Sequence, residues 1–165
     1  MTTRVAVTGA SGVMGGQVLD LAGTDPAFGV VIAVSRSPET IDAPDDAALA
    51  SDERLADHLA DGDADVVVDF TAPAATRRYA TVCAETGTPL VTGTTGFDDE
   101  GLAALSAAAK ETALLRASNF SRGLMALRRA VREAVTALPD ADVEVTETHH
   151  SRKRDAPSGT AVTLL

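Results

Sequence analysis

Short runs of β-branched and apolar residues alternate along this chain with longer segments whose apolar residues recur at helical spacing. These runs predict strands over residues 4–8, 30–35, 65–69, 89–92 and 113–117. The segments that follow them predict helices over residues 14–22, 52–60, 74–86, 98–110 and 123–137. Because the strands alternate with helices and are apolar throughout, the pattern predicts a doubly wound parallel sheet of the Rossmann type.

The pattern changes after Pro139. Residues 143–149 alternate between apolar and polar side chains, which predicts a strand of an antiparallel or mixed sheet. The acidic stretch 42–57 is interpreted as a solvated loop that leads into a helix. We therefore expect an α/β domain over residues 1–121 and the beginning of an α+β, mixed-sheet domain over residues 122–165.

A glycine-rich turn joins the first predicted strand to the first predicted helix. Glycine there lets the backbone approach a pyrophosphate, and the helix N-terminus supplies amide donors. The spacing is G-x-x-G-x-x-G rather than the commoner G-x-G-x-x-G, and a plain tight turn is the alternative. The position at a βα junction favours a dinucleotide site. Its candidate contacts are Gly9, Ala10, Ser11, Gly12, Val13 and Met14.

The end of the second predicted strand lacks the acid that commonly holds the ribose 2′-hydroxyl of NAD. The chain reads Ser35-Arg36-Ser37 at this point. A hydroxyl followed by a guanidinium suits a 2′-phosphate, so the sequence favours NADP over NAD and leaves use of both open. A solvated surface arginine is the alternative interpretation of Arg36.

Polar motifs follow three further predicted strands. Ligands bind outside the carboxyl ends of strands in open α/β sheets, so we expect the three motifs to face one crevice, although each taken alone is also ordinary turn chemistry. The motifs are Asp69-Phe70-Thr71, Gly93-Thr94-Thr95 and Ser118-Asn119-Phe120-Ser121.

The densest cluster of polar chemistry lies near the end of the sequence. His149 and His150 are followed by Lys153 and by a Ser-Gly-Thr turn that contains Gly159 and Thr160. These groups supply donors for an anionic substrate, and the window is the most basic of the chain. A solvated charge cluster is one alternative. No further ligand stands at zinc spacing, so we expect no metal site.

Composition narrows the partners. The net charge is −10, which disfavours nucleic acid or an anionic membrane, and no apolar run is long enough to span a bilayer. The single cysteine suits a reducing cytoplasm, where we expect the protein to reside. The excess of Asp over Lys is typical of halophiles, and a GC-rich genome is the alternative explanation.

Taken in order, these motifs resemble the dihydrodipicolinate reductase (4-hydroxy-tetrahydrodipicolinate reductase) family. The matching blocks are the glycine turn, Asp69-Phe70-Thr71, Gly93-Thr94-Thr95-Gly96-Phe97, Ser118-Asn119-Phe120-Ser121 and the block that begins at His149 and ends at Thr160. The last block, H-H-x-x-K-x-D-A-P-S-G-T, is highly specific to the family.

The resemblance implies an NADPH- or NADH-dependent reduction of a cyclic dicarboxylate imine in lysine and diaminopimelate biosynthesis. It assigns His149 as proton donor and acceptor and Lys153 as general acid. His150, Gly159 and Thr160 would bind the substrate. Gly93, Thr94, Thr95, Ser118, Asn119, Phe120 and Ser121 would line the nicotinamide side of the crevice.

Chains of this family continue beyond the Ser-Gly-Thr turn and assemble as tetramers, so residues 122–165 are expected to be only part of the substrate domain. The resemblance thus implies a homo-oligomer. A non-catalytic NADP-binding remnant or regulatory module is the alternative to an active reductase, and the presence of His149 and Lys153 favours the enzyme.

Overall fold

The computed structural model describes residues 1–149, 151 and 157–164. It divides into two compact units, Met1–Arg116 and Ala117–Leu165. The expected boundary between functional domains at residues 121 and 122 stays a prediction. No helix within the described residues is both long and apolar enough to cross a membrane.

The first unit is built on a six-stranded sheet with the order β3-β2-β1-β4-β5-β6. Every neighbouring pair of strands is parallel, which confirms the predicted doubly wound sheet. The strands are β1 (Thr3–Thr8), β2 (Phe28–Val34), β3 (Ala48–Ala50), β4 (Val66–Asp69), β5 (Leu90–Thr92) and β6 (Leu114–Arg116).

Helices cover both faces of this sheet. Successive residues of a strand point to opposite faces, so Ala6 of β1 joins one core while Val5 and Val7 join the other. The first core receives side chains from α2, α3 and α4, and the second receives Leu19 from α1. The helices of this unit are α1 (Val13–Thr24), α2 (Leu55–Ala60), α3 (Pro73–Thr86) and α4 (Asp99–Ala108).

The described part of the second unit contains α5 (Arg122–Ala137) and α6 (Gly159–Leu164). Its described residues include no β-strand, so the strand predicted over residues 143–149 is wrong as far as the structure describes the chain. An alternating pattern predicts which face would be buried, but a strand also needs a hydrogen-bonding partner. None of the described residues of this unit supplies one.

A second correction concerns the acidic stretch 42–57, for which the sequence predicts a solvated loop that leads into a helix; α2 does begin at Leu55, but the stretch before it is not all loop. It contains the edge strand β3, whose Ala48 to Ala50 pair with Ile32 to Val34 of β2. The strand is three residues long, and its Leu49 is 49% exposed. It contains no β-branched residue, so the sequence carries no strand signal at this point.

The last glycine of the glycine-rich turn permits α1 to pack against that turn. A Cβ placed on Gly15 would lie 2.1 Å from the carbonyl oxygen of Gly9, which is backbone and unable to rotate away. The neighbouring Gly16 has open space around the same position.

We expect Gly15→Ala to destabilise the first unit by at least about 2 kcal/mol, because the new methyl group would force α1 away from the turn. Urea unfolding followed by the fluorescence of Tyr79, the single tyrosine of the chain, measures this unit directly. Gly16→Ala is the matched control and should gain up to about 1 kcal/mol from helix propensity. Equal stability of the two variants would contradict the close approach.

Candidate functional site

Four neighbouring strands bring their carboxyl ends together at one edge of the sheet. Thr8 at the end of β1 pairs in register with Asp69 at the end of β4, and Asp69 pairs with Thr92 at the end of β5. On the other side, Thr8 pairs with Val34 at the end of β2. The glycine turn, Ser35 and the predicted loop at Gly93 therefore begin side by side, which is the usual place for a ligand in this architecture.

The glycine turn leaves the N-terminus of α1 open to solvent. Gly9 has a φ of 70°, and its carbonyl accepts a hydrogen bond of 2.9 Å from the amide of Gly12, so the chain reverses tightly here. The amide of Ala10 donates to the carbonyl of Val34 at 3.0 Å, which fixes the turn to β2. Gly12 offers no side chain to cap α1, and the first helical turn carries no acidic residue. Such amides fit a phosphate group.

A pair of serine hydroxyls lies beside this turn. The Oγ atoms of Ser11 and Ser35 are 2.7 Å apart, and the amide of Ser37 donates to Ser35 Oγ at 3.2 Å. Ser35 is only 5% exposed, and its own amide donates to the carbonyl of Ala50 in β3. Arg36 is exposed next to it. The structure thus brings Ser11 and Ser35 together at the point where sequence reasoning placed the ribose.

Asp69 is 0% exposed and accepts hydrogen bonds from five threonine hydroxyls. We call this group the Asp69 cluster. Within the described residues, no ion pair involves Asp69, so neutral hydroxyls provide its polar contacts. The Oγ1-to-carboxylate distances are 2.8 Å from Thr8, 2.6 Å from Thr71, 2.7 Å from Thr76, 2.7 Å from Thr92 and 3.0 Å from Thr94.

Sequence reasoning quoted Asp69 within a motif but gave it no role, and it did not consider Thr8 or Thr76. A threonine at the end of each strand next to β4 is the sequence signal for the cluster. This signal becomes useful only together with the strand order, which shows that these residues are adjacent.

Two other buried groups of the first unit are unsuited to acid–base chemistry. Burial, followed by the charge of Asp69, raises the pKa of the Cys83 thiol to about 12, so the thiolate is not accessible near neutral pH. Burial and the hydrogen bond to Asp52 raise the pKa of Tyr79 above its usual range. The Tyr79 hydroxyl donates to Asp52 at 2.8 Å and links α3 to the turn that precedes α2.

In the second unit, two predicted cofactor residues make local contacts at the start of α5. Ser121 Oγ accepts a hydrogen bond from the amide of Leu124 at 3.3 Å, which is an ordinary N-terminal cap. Asn119 Oδ1 accepts one from the amide of Ser121 at 2.7 Å, which is a turn contact just before the helix. Ser118 and Phe120 belong to the same segment, and cofactor contact by all four stays a prediction.

Glu147 joins the segment before α6 to the start of that helix, although sequence reasoning gave it no role. Its carboxylate accepts hydrogen bonds from the amide of Ser158 at 2.7 Å and from the Ser158 hydroxyl. The same hydroxyl oxygen accepts a bond from the amide of Ala161 at 3.1 Å. His149 Nδ1 lies 3.6 Å from Glu147 Oε2, so one carboxylate faces both the candidate catalytic histidine and the helix cap.

The remaining candidates of this block are only partly described. His150 and Lys153 lie outside the described residues, and Gly159 and Thr160 are the first two residues of α6. Among the residues that the structure does describe, no group of three His, Cys, Asp or Glu side chains is arranged to hold a metal ion.

The parallel sheet and the glycine turn at its first βα junction define a Rossmann-type nucleotide-binding fold. Residues 3–120 match the family described as "Dihydrodipicolinate reductase, N-terminus", and residues 123–165 match "Dihydrodipicolinate reductase, C-terminus". The chain therefore belongs to the dihydrodipicolinate reductase family.

Curated relatives carry the same family name. The 4-hydroxy-tetrahydrodipicolinate reductase of Haloarcula marismortui is 48% identical over 163 residues, which cover 99% of this chain and 64% of that protein. The reductase of Natronomonas pharaonis is 60% identical over 102 residues, covering 62% of this chain and 42% of its own. The chain thus spans less than two thirds of the length of these relatives.

A solved structure of the family superimposes closely. It is the dipicolinate-bound dihydrodipicolinate reductase from Paenisporosarcina sp. TG-14, with a TM-score of 0.81 and 28% sequence identity. The match covers 99% of this chain and 64% of that one.

Replacing Glu147 tests whether its carboxylate holds the start of α6. In Glu147→Gln, we expect the amide protons of Ser158 and Ala161 to exchange with solvent about tenfold faster, because a hydrogen bond to a charged acceptor contributes about 1.5 kcal/mol or more. Hydrogen exchange read by NMR measures both amides. Glu144→Gln is the control, since Glu144 accepts only a long contact of 3.5 Å from Thr146. Unchanged amide exchange rates in Glu147→Gln, or an equal change in the control, would refute the role of the Glu147 carboxylate in holding the start of α6.

Proposed function

We propose that this chain forms the nucleotide-binding and catalytic part of an NAD(P)H-dependent reductase that converts 4-hydroxy-tetrahydrodipicolinate to tetrahydrodipicolinate. The observation that carries the proposal is the match of two successive segments of the chain, residues 3–120 and 123–165, to the two parts of this reductase family. The lysine and diaminopimelate pathway, a cytoplasmic location and a homo-oligomeric assembly belong to the same proposal.

The glycine turn fits the pyrophosphate of a dinucleotide. Uncapped amides at the start of α1 would donate to the phosphate oxygens, and the close packing of Gly15 against Gly9 keeps bulk away from them. Gly93, Thr94 and Thr95 would line the nicotinamide half. When bound, the nicotinamide supplies the hydride that reduces the unsaturated ring of the substrate.

The preference between NADPH and NADH would be set at the end of β2. Ser35 offers no carboxylate to a 2′-hydroxyl, and the guanidinium of the exposed Arg36 suits a 2′-phosphate. We propose NADPH as the favoured cofactor, with NADH as the second.

For Arg36→Ala, we expect the Kd of NADPH to rise about tenfold, because a charge-assisted hydrogen bond to phosphate is lost, while the Kd of NADH changes little. Fluorescence titration of the reduced nucleotides measures both constants. Arg54→Ala removes another exposed guanidinium of the first unit, one that pairs with Asp57, and controls for the overall charge. Equal losses for the two nucleotides in Arg36→Ala would refute the 2′-phosphate contact.

The proton chemistry is assigned to His149 and Lys153. The hydroxyl group of the substrate leaves as water, which gives a conjugated imine. Addition of hydride to this imine leaves negative charge on the ring, and an acid nearby must neutralise it by donating a proton. The side chain of His149 is 38% exposed, so solvent can replenish the proton that it donates. In the proposal Lys153 serves as general acid, and His150, Gly159 and Thr160 hold the carboxylates of the substrate.

The reductase activity is tested in the full-length gene product with substrate generated by dihydrodipicolinate synthase. We expect NADPH oxidation that depends on this substrate. Lys153→Ala should lower kcat by about 10² or more, because the general acid is lost, and leave the Kd of NADPH nearly unchanged.

Lys110→Ala is the matched control, because Lys110 is the only other lysine of the chain and follows α4 in the first unit. Wild-type protein that binds NADPH but never oxidises it would favour a non-catalytic binding module. A collapse of nucleotide affinity in Lys153→Ala would show that Lys153 is misassigned.

A further inference from the structure

The Asp69 cluster connects three strand ends that lead into different parts of the candidate nucleotide site. Thr8 is the residue immediately before the glycine turn, and Thr92 is the residue immediately before Gly93. Both hydroxyls donate to the buried carboxylate between them, at 2.8 and 2.7 Å. The carboxylate therefore sets the spacing between the points at which the two loops leave the sheet.

The loop after β5 makes a second contact with the same carboxylate. Thr94 Oγ1 donates to Asp69 Oδ2 at 3.0 Å and accepts a hydrogen bond from the amide of Thr71 at 3.1 Å. The amide of Thr94 donates to Thr92 Oγ1 at 3.1 Å, and the amide of Gly93 donates to the carbonyl of Asp69 at 2.9 Å. Backbone and side chain of this loop thus both depend on Asp69.

The turn after β4 fills the space between the two loops. A Cβ on Gly93 would lie 2.1 Å from the ring of Phe70, so the ring packs directly on the backbone of Gly93. A Cβ on Gly9 would lie 2.7 Å from the methyl group of Thr71. The hydroxyl of Thr71 donates to Asp69 at 2.6 Å, so the residue that packs against the glycine turn is itself held by the cluster.

We propose that Asp69 is a positioning residue for the nucleotide: it holds the glycine turn and the Gly93–Thr94 loop at the separation that receives the pyrophosphate and nicotinamide parts together. The inference rests on the proposed function, because it assumes that a pyridine nucleotide is the ligand. Asp69 is fully buried, so it would act through the loops that it holds and not by direct contact with the nucleotide.

The adenosine end of the site is held by other contacts. Ser35 is fixed by its amide bond to Ala50 of β3 and accepts a hydrogen bond from the amide of Ser37, and neither contact involves Asp69 or the glycine turn. Loss of the Asp69 carboxylate should therefore disturb the pyrophosphate and nicotinamide end and spare the adenosine end. A general scaffold role would disturb both ends equally.

The test compares Asp69→Asn with Asp65→Asn. Asp65 immediately precedes β4, and Asp69 is the last residue of that strand. The carboxylate of Asp65 is half exposed and paired with Arg4 at 2.7 Å. Kd values for NADPH and for adenosine 2′-monophosphate are measured by calorimetry, well below the unfolding temperature of each variant. For Asp69→Asn we expect NADPH to bind about tenfold more weakly or worse and adenosine 2′-monophosphate to bind as in the wild type. Asp65→Asn should change neither constant.

Two results with Asp69→Asn would overturn the proposal. One is an NADPH affinity that stays at the wild-type value, and the other is a weakening of both ligands by the same factor, which indicates a scaffold role only. Failure of the wild-type chain to bind NADPH at all would instead refute the proposed function, and the positioning role with it. If Asp69→Asn does not fold, Thr92→Val keeps the side-chain shape and removes both the donor to Asp69 and the acceptor of the Thr94 amide. That variant should weaken NADPH selectively and speed amide exchange at Thr94, and no change in either would also overturn the proposal.

Discussion

A carboxylate taken out of water must regain from the protein the hydrogen bonds that it loses, and Asp69 places this demand on the edge of the sheet. Among the residues that the structure describes, hydroxyls and not a cation meet this demand. The long side chain of an arginine or lysine would need extra space at this edge. Thr8 and Thr92, in contrast, already lie next to Asp69 in the parallel register. The strand ends can therefore stay close together.

Threonine serves two purposes in these positions. Its β-branched side chain suits a strand, and its hydroxyl supplies the donor that the buried carboxylate requires. Thr76 contributes from the first turns of α3 and so ties that helix to the sheet edge. The same buried charge contributes to the high pKa of Cys83 on α3, which keeps that thiol neutral. Order at the edge is thus obtained mainly from residues outside the proposed ligand contacts; among the threonines of the cluster, Thr94 alone is also proposed to line the nicotinamide.

The sequence was sufficient to predict the parallel sheet, because each long strand is an apolar run bounded by a turn and followed by a helical pattern. It was insufficient for β3, because three alanine- and leucine-containing residues at an exposed edge resemble a loop. The strand expected over residues 143–149 failed for the opposite reason: its alternation is clear, but pairing depends on a partner strand, which no local pattern specifies. The local sequence pattern thus predicts the buried strands and the helices, but it does not predict strands whose formation depends on an edge or on a partner strand.

The site divides along the same line. The glycine turn was predicted because Gly9, Gly12 and Gly15 lie close together in the sequence at a βα junction, and Ser35 and Arg36 because they follow a strand at a known distance. The Asp69 cluster combines residues from β1, β4, β5 and α3, and the clamp of Glu147 on Ser158 spans eleven positions of sequence. Such groups can be recognised only once the strand order or the loop closure is known.

The hydrogen bonds at the end of β2 also could not be inferred from the sequence. There the hydroxyl of Ser35 is already engaged by Ser11 and by the amide of Ser37. In the proposed nucleotide site a neutral, occupied hydroxyl offers little attraction to a 2′-phosphate, so the choice of cofactor would depend on the charge of Arg36.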